Sequence, residues 1–129
     1  MPSDGTHLRG SEDMQIHHVQ LMIPRDGQDE ARYFYGELLG LEPAERPANM
    51  PNPEGIWFEL GDQQIHLGVQ DAAPDRTRAH VAFLVESLDP LVARLRDAGV
   101  ELRPSNDVAG LRRVHVWDPF GNRLELMGR

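Results

Sequence analysis

The sequence predicts an α+β domain made of two copies of a βαβββ unit. Three observations carry that expectation. Both halves run in one order: a strand, an amphipathic helix, then further strands. Landmarks recur at fixed spacing, since Gly40 to His66 and Gly99 to Glu125 are each 26 residues, and Leu41/Val100, His66/Glu125 and Leu67/Leu126 are each 59 apart. Each strand also alternates apolar and polar residues, the period of a sheet with one face on a core. The leading strands are offset: His18 to Gly40 is 22 residues and His80 to Gly99 is 19, which a three-residue difference in the first strand-to-helix connection explains.

The elements follow in order. Residues 1–13 are polar and lack the apolar centre of a signal peptide, so they read as a flexible tail, with His7 incidental. Residues 14–72 form the first module. "QIHHVQLMIP" (15–24) is a strand closed by Pro24, and Asp26 suits the cap of the helix after it. Ala31, Phe34, Tyr35, Leu38 and Leu39 fall on one helical face, and Gly40 sits where a left-handed C-cap belongs. Beyond the Pro-rich "PANMPNPEG" (47–55), "IWFEL" and "QIHLGVQ" pair as a hairpin around "GDQ". Residues 77–128 form the second module. "RAHVAFLVES" (78–87) is a strand, Asp89 and Pro90 suit an N-cap and first helical position, and Leu88, Leu91, Val92 and Leu95 make an apolar stripe ended by Gly99. "RVHVW" and "NRLELMG" then pair around the turn-rich "DPFGN". "RPANMPNPEG" and "SNDVAGL" read as loops at the mouth of any site.

Bulk properties exclude several functions. The 129 residues suffice for one domain with a real core, and 40% hydrophobic with 26% charged residues is ordinary for a soluble protein. A net charge of −8 makes a poor nucleic-acid binder, and no basic run suits a membrane surface. There are no cysteines, which removes thiolate chemistry and fits a cytoplasmic setting.

The alternation also marks a site. Val19, Leu21 and Ile23 face one way and His18, Gln20 and Met22 the other; Ile65, Leu67 and Val69 oppose His66. Val81, Phe83 and Val85 oppose His80, and Leu124 and Leu126 oppose Glu125. Each apolar face suits a helix. Each opposite face holds one candidate ligand, so three imidazoles and a carboxylate would line a concave surface. Such a set suits one divalent ion among Fe, Mn, Co, Ni and Zn, and its lack of sulfur argues against a structural zinc knot. Singly, each His reads as a surface or hydrogen-bonded residue, and Glu125 as a solvated partner of Arg123. Repetition carries the site, because His18 matches His80 and His66 matches Glu125. The same parity puts Trp57, Glu59, Arg113, His115 and Trp117 on this face as substrate-pocket residues. His17 and His115 are expected to support the ligands rather than to ligate.

The segments "HHVQLMIP", "EARYFYGELLGLEP", "QIHLGV", "AHVAFLVESLDPLVARLRDAGV" and "RRVHVWDPFGNRLELMG" together resemble the vicinal oxygen chelate superfamily, which includes glyoxalases, bleomycin resistance proteins and extradiol dioxygenases. The resemblance implies a U-shaped curved sheet around a metal, with ligand positions at His18, His66, His80 and Glu125. It implies small-molecule chemistry in which the ion chelates vicinal oxygens and stabilises an enolate or oxyanion, of isomerase or lyase type. His66 replaces the carboxylate found in glyoxalase I-like enzymes, which leaves Glu125 as the one ligand able to act as a catalytic base. The alternatives are an extradiol-type dioxygenase and a metal-free small-molecule binding or resistance protein. The resemblance also implies a homodimer, with His18 and His66 of one chain facing His80 and Glu125 of another or all four meeting within one chain.

Overall fold

The computed structural model describes residues 16–49, 54–71 and 79–129; the tail at 1–13 lies outside them. The first sheet holds β1 (His18–Pro24), β2 (Pro43–Ala44), β3 (Ile56–Leu60) and β4 (Gln63–Gln70). The second holds β5 (His80–Val85), β6 (Leu102–Val108), β7 (Leu111–Trp117) and β8 (Arg123–Gly128). Their strand orders are β1-β4-β3-β2 and β5-β8-β7-β6, one topology used twice. In both, the first and last strands pair in parallel and the other pairs are antiparallel. The chain is therefore the expected α+β arrangement of two βαβββ repeats.

The apolar faces meet in one core. Ile23, Ile65, Leu67, Phe83, Leu124, Leu126 and Val116 are buried there against Phe34, Tyr35, Leu38, Leu88 and Leu95 of the helical segments. Two helix starts differ from expectation. α1 (Gln28–Ala31) begins after Gly27, with no side-chain cap from Asp26, because the chain turns directly out of β1 through a Gly27 N–H bond to the Pro24 carbonyl. α2 (Leu88–Asp97) begins at Leu88, ahead of Asp89, because that places Leu88 fully in the core. After α1 the coil widens into a π-helical segment over Arg32–Leu38, and the Leu39 N–H reaches back to the Phe34 carbonyl. Gly40 and Gly99 end the two helical stretches at φ of 76° and 80°, in the left-handed region expected of them.

Two segments read as irregular are structural. β6 takes in most of "SNDVAGL". Pro104 and weak alternation hide it, but it is the outermost strand, where a proline and a bulge between Ser105 and Val108 are tolerated. "DPFGN" is a clasp between the modules. Asp118, 4% exposed, accepts from the backbone N–H groups of Phe120 and Asn122, from Asn122 Nδ2 at 2.7 Å and from the Tyr35 hydroxyl at 2.8 Å. Asn122 Nδ2 also donates to the Met22 carbonyl in β1. Burial, and then the charge and hydrogen bond of Asp118, push the Tyr35 hydroxyl pKa well above its usual value.

Candidate functional site

β8 runs at the centre of the second sheet, between β5 and β7, so its outward residues are flanked on both sides. Glu125 lies opposite His115 in β7 and beside Ala82 in β5. His80 Nε2 is 2.9 Å from Glu125 Oε1, and His115 Nε2 is 3.3 Å from the same oxygen. Arg113 Nε donates to the other oxygen at 2.7 Å. Glu125 and His115 are buried, while the His80 side chain is 31% exposed and forms the open side of the cluster. The Arg113 hydrogen bond is the main reason the Glu125 pKa falls to about 2; His80 and His115 add to it against the opposing effect of burial. Burial, and then Arg123, lower the His115 pKa. A charged carboxylate beside a neutral imidazole is the protonation state a cation needs.

The first sheet carries the matching face. His66 sits at the centre of β4, paired with Trp57 of β3 and beside Gln20 of β1. Its ring stacks on His18 at 4.0 Å and on Trp57 at 3.8 Å, the latter within 2° of parallel. Gln64 Nε2 donates to Glu59 at 3.1 Å, which turns its carbonyl oxygen to accept from His66 Nε2 at 2.8 Å. Burial, followed by the nearby His18, His17 and Arg46, lowers the His66 pKa to about 4. Trp57, Glu59, Arg113 and His115 thus lie on the faces that alternation assigned. Trp117 ends β7 with Arg103 and Arg123 guanidiniums 5.3 and 5.7 Å from its ring, and it also lines a cleft with Tyr33 and Val100.

The two faces are register-equivalent. Trp57 opposes His66 as His115 opposes Glu125, so an indole stands in the first module where the second has an imidazole. Within one chain the four expected ligands form two pairs, His18 with His66 and His80 with Glu125. His115, expected only to support, joins the second pair. Among the described residues the one group of three donors within 4.8 Å of one another is His80, His115 and Glu125, and it includes neither His18 nor His66. The signal for His115 was its parity on β7; its pairing with Glu125 depends on the β7–β8 register, which the turn-rich linker left open. Two nitrogens and a carboxylate oxygen at this separation fit a divalent ion whose bonds are about 2.0–2.2 Å long.

The sequence pattern of the Glyoxalase/Bleomycin resistance protein/Dioxygenase superfamily matches residues 15–126. The chain belongs to this superfamily. A glyoxalase family protein from Bacillus anthracis is 38% identical, covering 90% of this chain and 95% of its own, with a TM-score of 0.82. A glyoxalase/dioxygenase from Nostoc punctiforme is 26% identical over 98% of both chains, with a TM-score of 0.78. The fosfomycin resistance protein FosX from Listeria monocytogenes shares the fold at 20% identity and a TM-score of 0.73, covering 90% and 93% of the two chains. No curated protein sequence matches the chain. The two modules present register-equivalent faces, one of stacked rings at His18, His66 and Trp57 and one with the His80, His115 and Glu125 group that could hold a metal ion. No helix among the described residues is long and apolar enough to cross a membrane.

Proposed function

We propose that this glyoxalase-superfamily member is a divalent-metal-dependent enzyme acting on a small oxygenated molecule, of isomerase or lyase type. The observation that supports it most is the convergence of His80 and His115 on one oxygen of Glu125. When bound, the ion supplies Lewis-acid stabilisation of negative charge on substrate oxygens. The chain's own residues set the stage. Arg113 holds Glu125 charged, the form that ligates a cation. His80 keeps the cluster open to the groove beside it. In a homodimer, His18 and His66 of one protomer would face the triad of the other and complete the coordination. Two similar proteins carry the names glyoxalase and glyoxalase/dioxygenase, which agree with chemistry on a small oxygenated molecule.

A second reading is a metal-free binding protein. It is favoured by one fact: Arg113, His80 and His115 already satisfy Glu125. Metal analysis of protein purified without added metal, with melting curves at increasing Mn²⁺, Ni²⁺ or Zn²⁺, separates the two. The enzyme reading expects a stoichiometric ion and a raised Tm that is reduced in Glu125→Gln. No ion and no shift would leave the binding-protein reading.

A further inference from the structure

Arg123 is a partly buried guanidinium that bonds to His115 and has no acid to pair with among the described residues. Its neighbours on the same face are all engaged: Arg113 with Glu125 and the Asn106 carbonyl, Arg103 with Glu101 at 3.3 Å. Arg123 has no carboxylate partner among the described residues. One terminal nitrogen lies 3.2 Å from His115 Nδ1, and its Nε is buried without any hydrogen-bond partner. A buried donor left unmatched in a native fold calls for an acceptor that the chain itself does not supply.

The surroundings say what that acceptor is. Arg123 and His80 line a groove of about 660 Å³ between β1 and β5, the edge strands of the two sheets. Ile16, Val19, Leu21 and Ala82 give the groove an apolar wall. Trp117 lies against the guanidinium on the other side. The groove therefore joins an apolar body site, a cation without a carboxylate partner among the described residues and one member of the triad. A cationic ligand would be repelled there, and a neutral one could accept from Arg123 but would leave its charge unbalanced.

We propose that Arg123 is the anion-binding residue of this groove, and that the molecule bound there is an organic oxyanion, a carboxylate or phosphonate on an apolar body. The proposal deepens the enzyme reading by naming its substrate class, but the contact at Arg123 needs no metal. A planar guanidinium takes either oxyanion through paired N–H donors. Apolar carbon then lies on Val19 and Leu21, and the rest of the molecule reaches towards His80.

The test uses chelator-treated wild-type protein with benzoate, phenylphosphonate and neutral benzamide as probes. Binding is followed by the ¹H–¹⁵N shifts of the Arg123 side-chain Nε–H and of the Ala82 and Asn122 amides. Benzoate or phenylphosphonate should shift these resonances saturably, and benzamide should bind at least tenfold more weakly. Arg123→Gln should lower anion affinity at least tenfold, with Arg123→Lys between it and wild type. Equal binding of benzoate and benzamide by the wild type, or wild-type benzoate affinity in Arg123→Gln, would overturn the proposal. The probe comparison stands even if a variant fails to fold. Mn²⁺ titration of the same samples keeps the two ideas apart: selective anion binding without metal uptake sinks the enzyme reading alone, and metal uptake without anion selectivity sinks the anion site alone.

Discussion

Replacing Asp118 with Ala should be among the most damaging single changes in the chain. The carboxylate accepts four hydrogen bonds, two from backbone N–H groups, one from Asn122 Nδ2 and one from the Tyr35 hydroxyl. Tyr35 is fully buried, so its hydroxyl cannot turn to water. Hydrogen bonds to a charged acceptor contribute about 1.5–3 kcal/mol each, but water recovers those at the turn's exposed side. Counting Tyr35 in full and the turn in part gives a loss of about 3–5 kcal/mol, the range reserved for broken buried networks. For a chain of this size that is a fall in Tm of roughly 10–20 °C. Urea unfolding followed by circular dichroism measures it, with Asp118→Asn as the control. The amide keeps one acceptor oxygen but sets an NH₂ against the donor on Asn122, so it should lose about 1–2 kcal/mol. A loss below about 1 kcal/mol for Asp118→Ala would refute the idea that this turn clasps the modules together.

Three further outcomes follow from the same geometry. In Tyr33→Phe, which leaves Tyr35 as the single tyrosine, phenolate absorbance should stay absent above pH 10 until the protein unfolds; because the folded pKa is raised, stability is full below the unfolded value near 10 and falls as pH rises past it. On the acid side the signs reverse: His66, lowered to about 4, and Glu125, lowered to about 2, both favour the fold at neutral pH, so wild-type stability should fall as pH drops from about 6.5 towards 4 and again towards 2, with the second loss reduced in Glu125→Gln. Melting curves across that range, with the His66 ring titration by NMR, check both. Gly128→Ala should destabilise by about 2 kcal/mol or more in thermal melts, since its Cβ would lie 2.6 Å from the Val85 carbonyl oxygen and the parallel β5–β8 pair would have to part.

The repeat was legible because sheet alternation and helical periodicity are written locally. Val19, Ile65, Phe83 and Leu124 could be assigned to the core side from parity alone, and their opposites His18, His66, His80 and Glu125 to the other. Long-range pairing was not written locally. His115 became a partner of Glu125 through the β7–β8 register, which the five-residue "DPFGN" turn sets by folding around Asp118. β6 escaped because an edge strand tolerates Pro104 and half-exposed polar residues. The π-helical segment kept the apolar spacing of an α-helix, so Phe34, Tyr35 and Leu38 were placed correctly while the hydrogen-bond pattern was not. Whether His18 and His66 reach the triad depends on a second chain, and one sequence does not encode the docking of two copies in any local pattern.

Anomalous diffraction at the absorption edge of Mn²⁺ or Zn²⁺, on crystals of protein loaded with that ion, puts the metal centre to its most direct trial. The expected result is one peak within about 2.0–2.3 Å of His80 Nε2, His115 Nε2 and a Glu125 oxygen, on the open side of the second sheet. A peak bound elsewhere, or a loaded crystal in which Glu125 stays paired with Arg113 and no ion lies beside it, would contradict it.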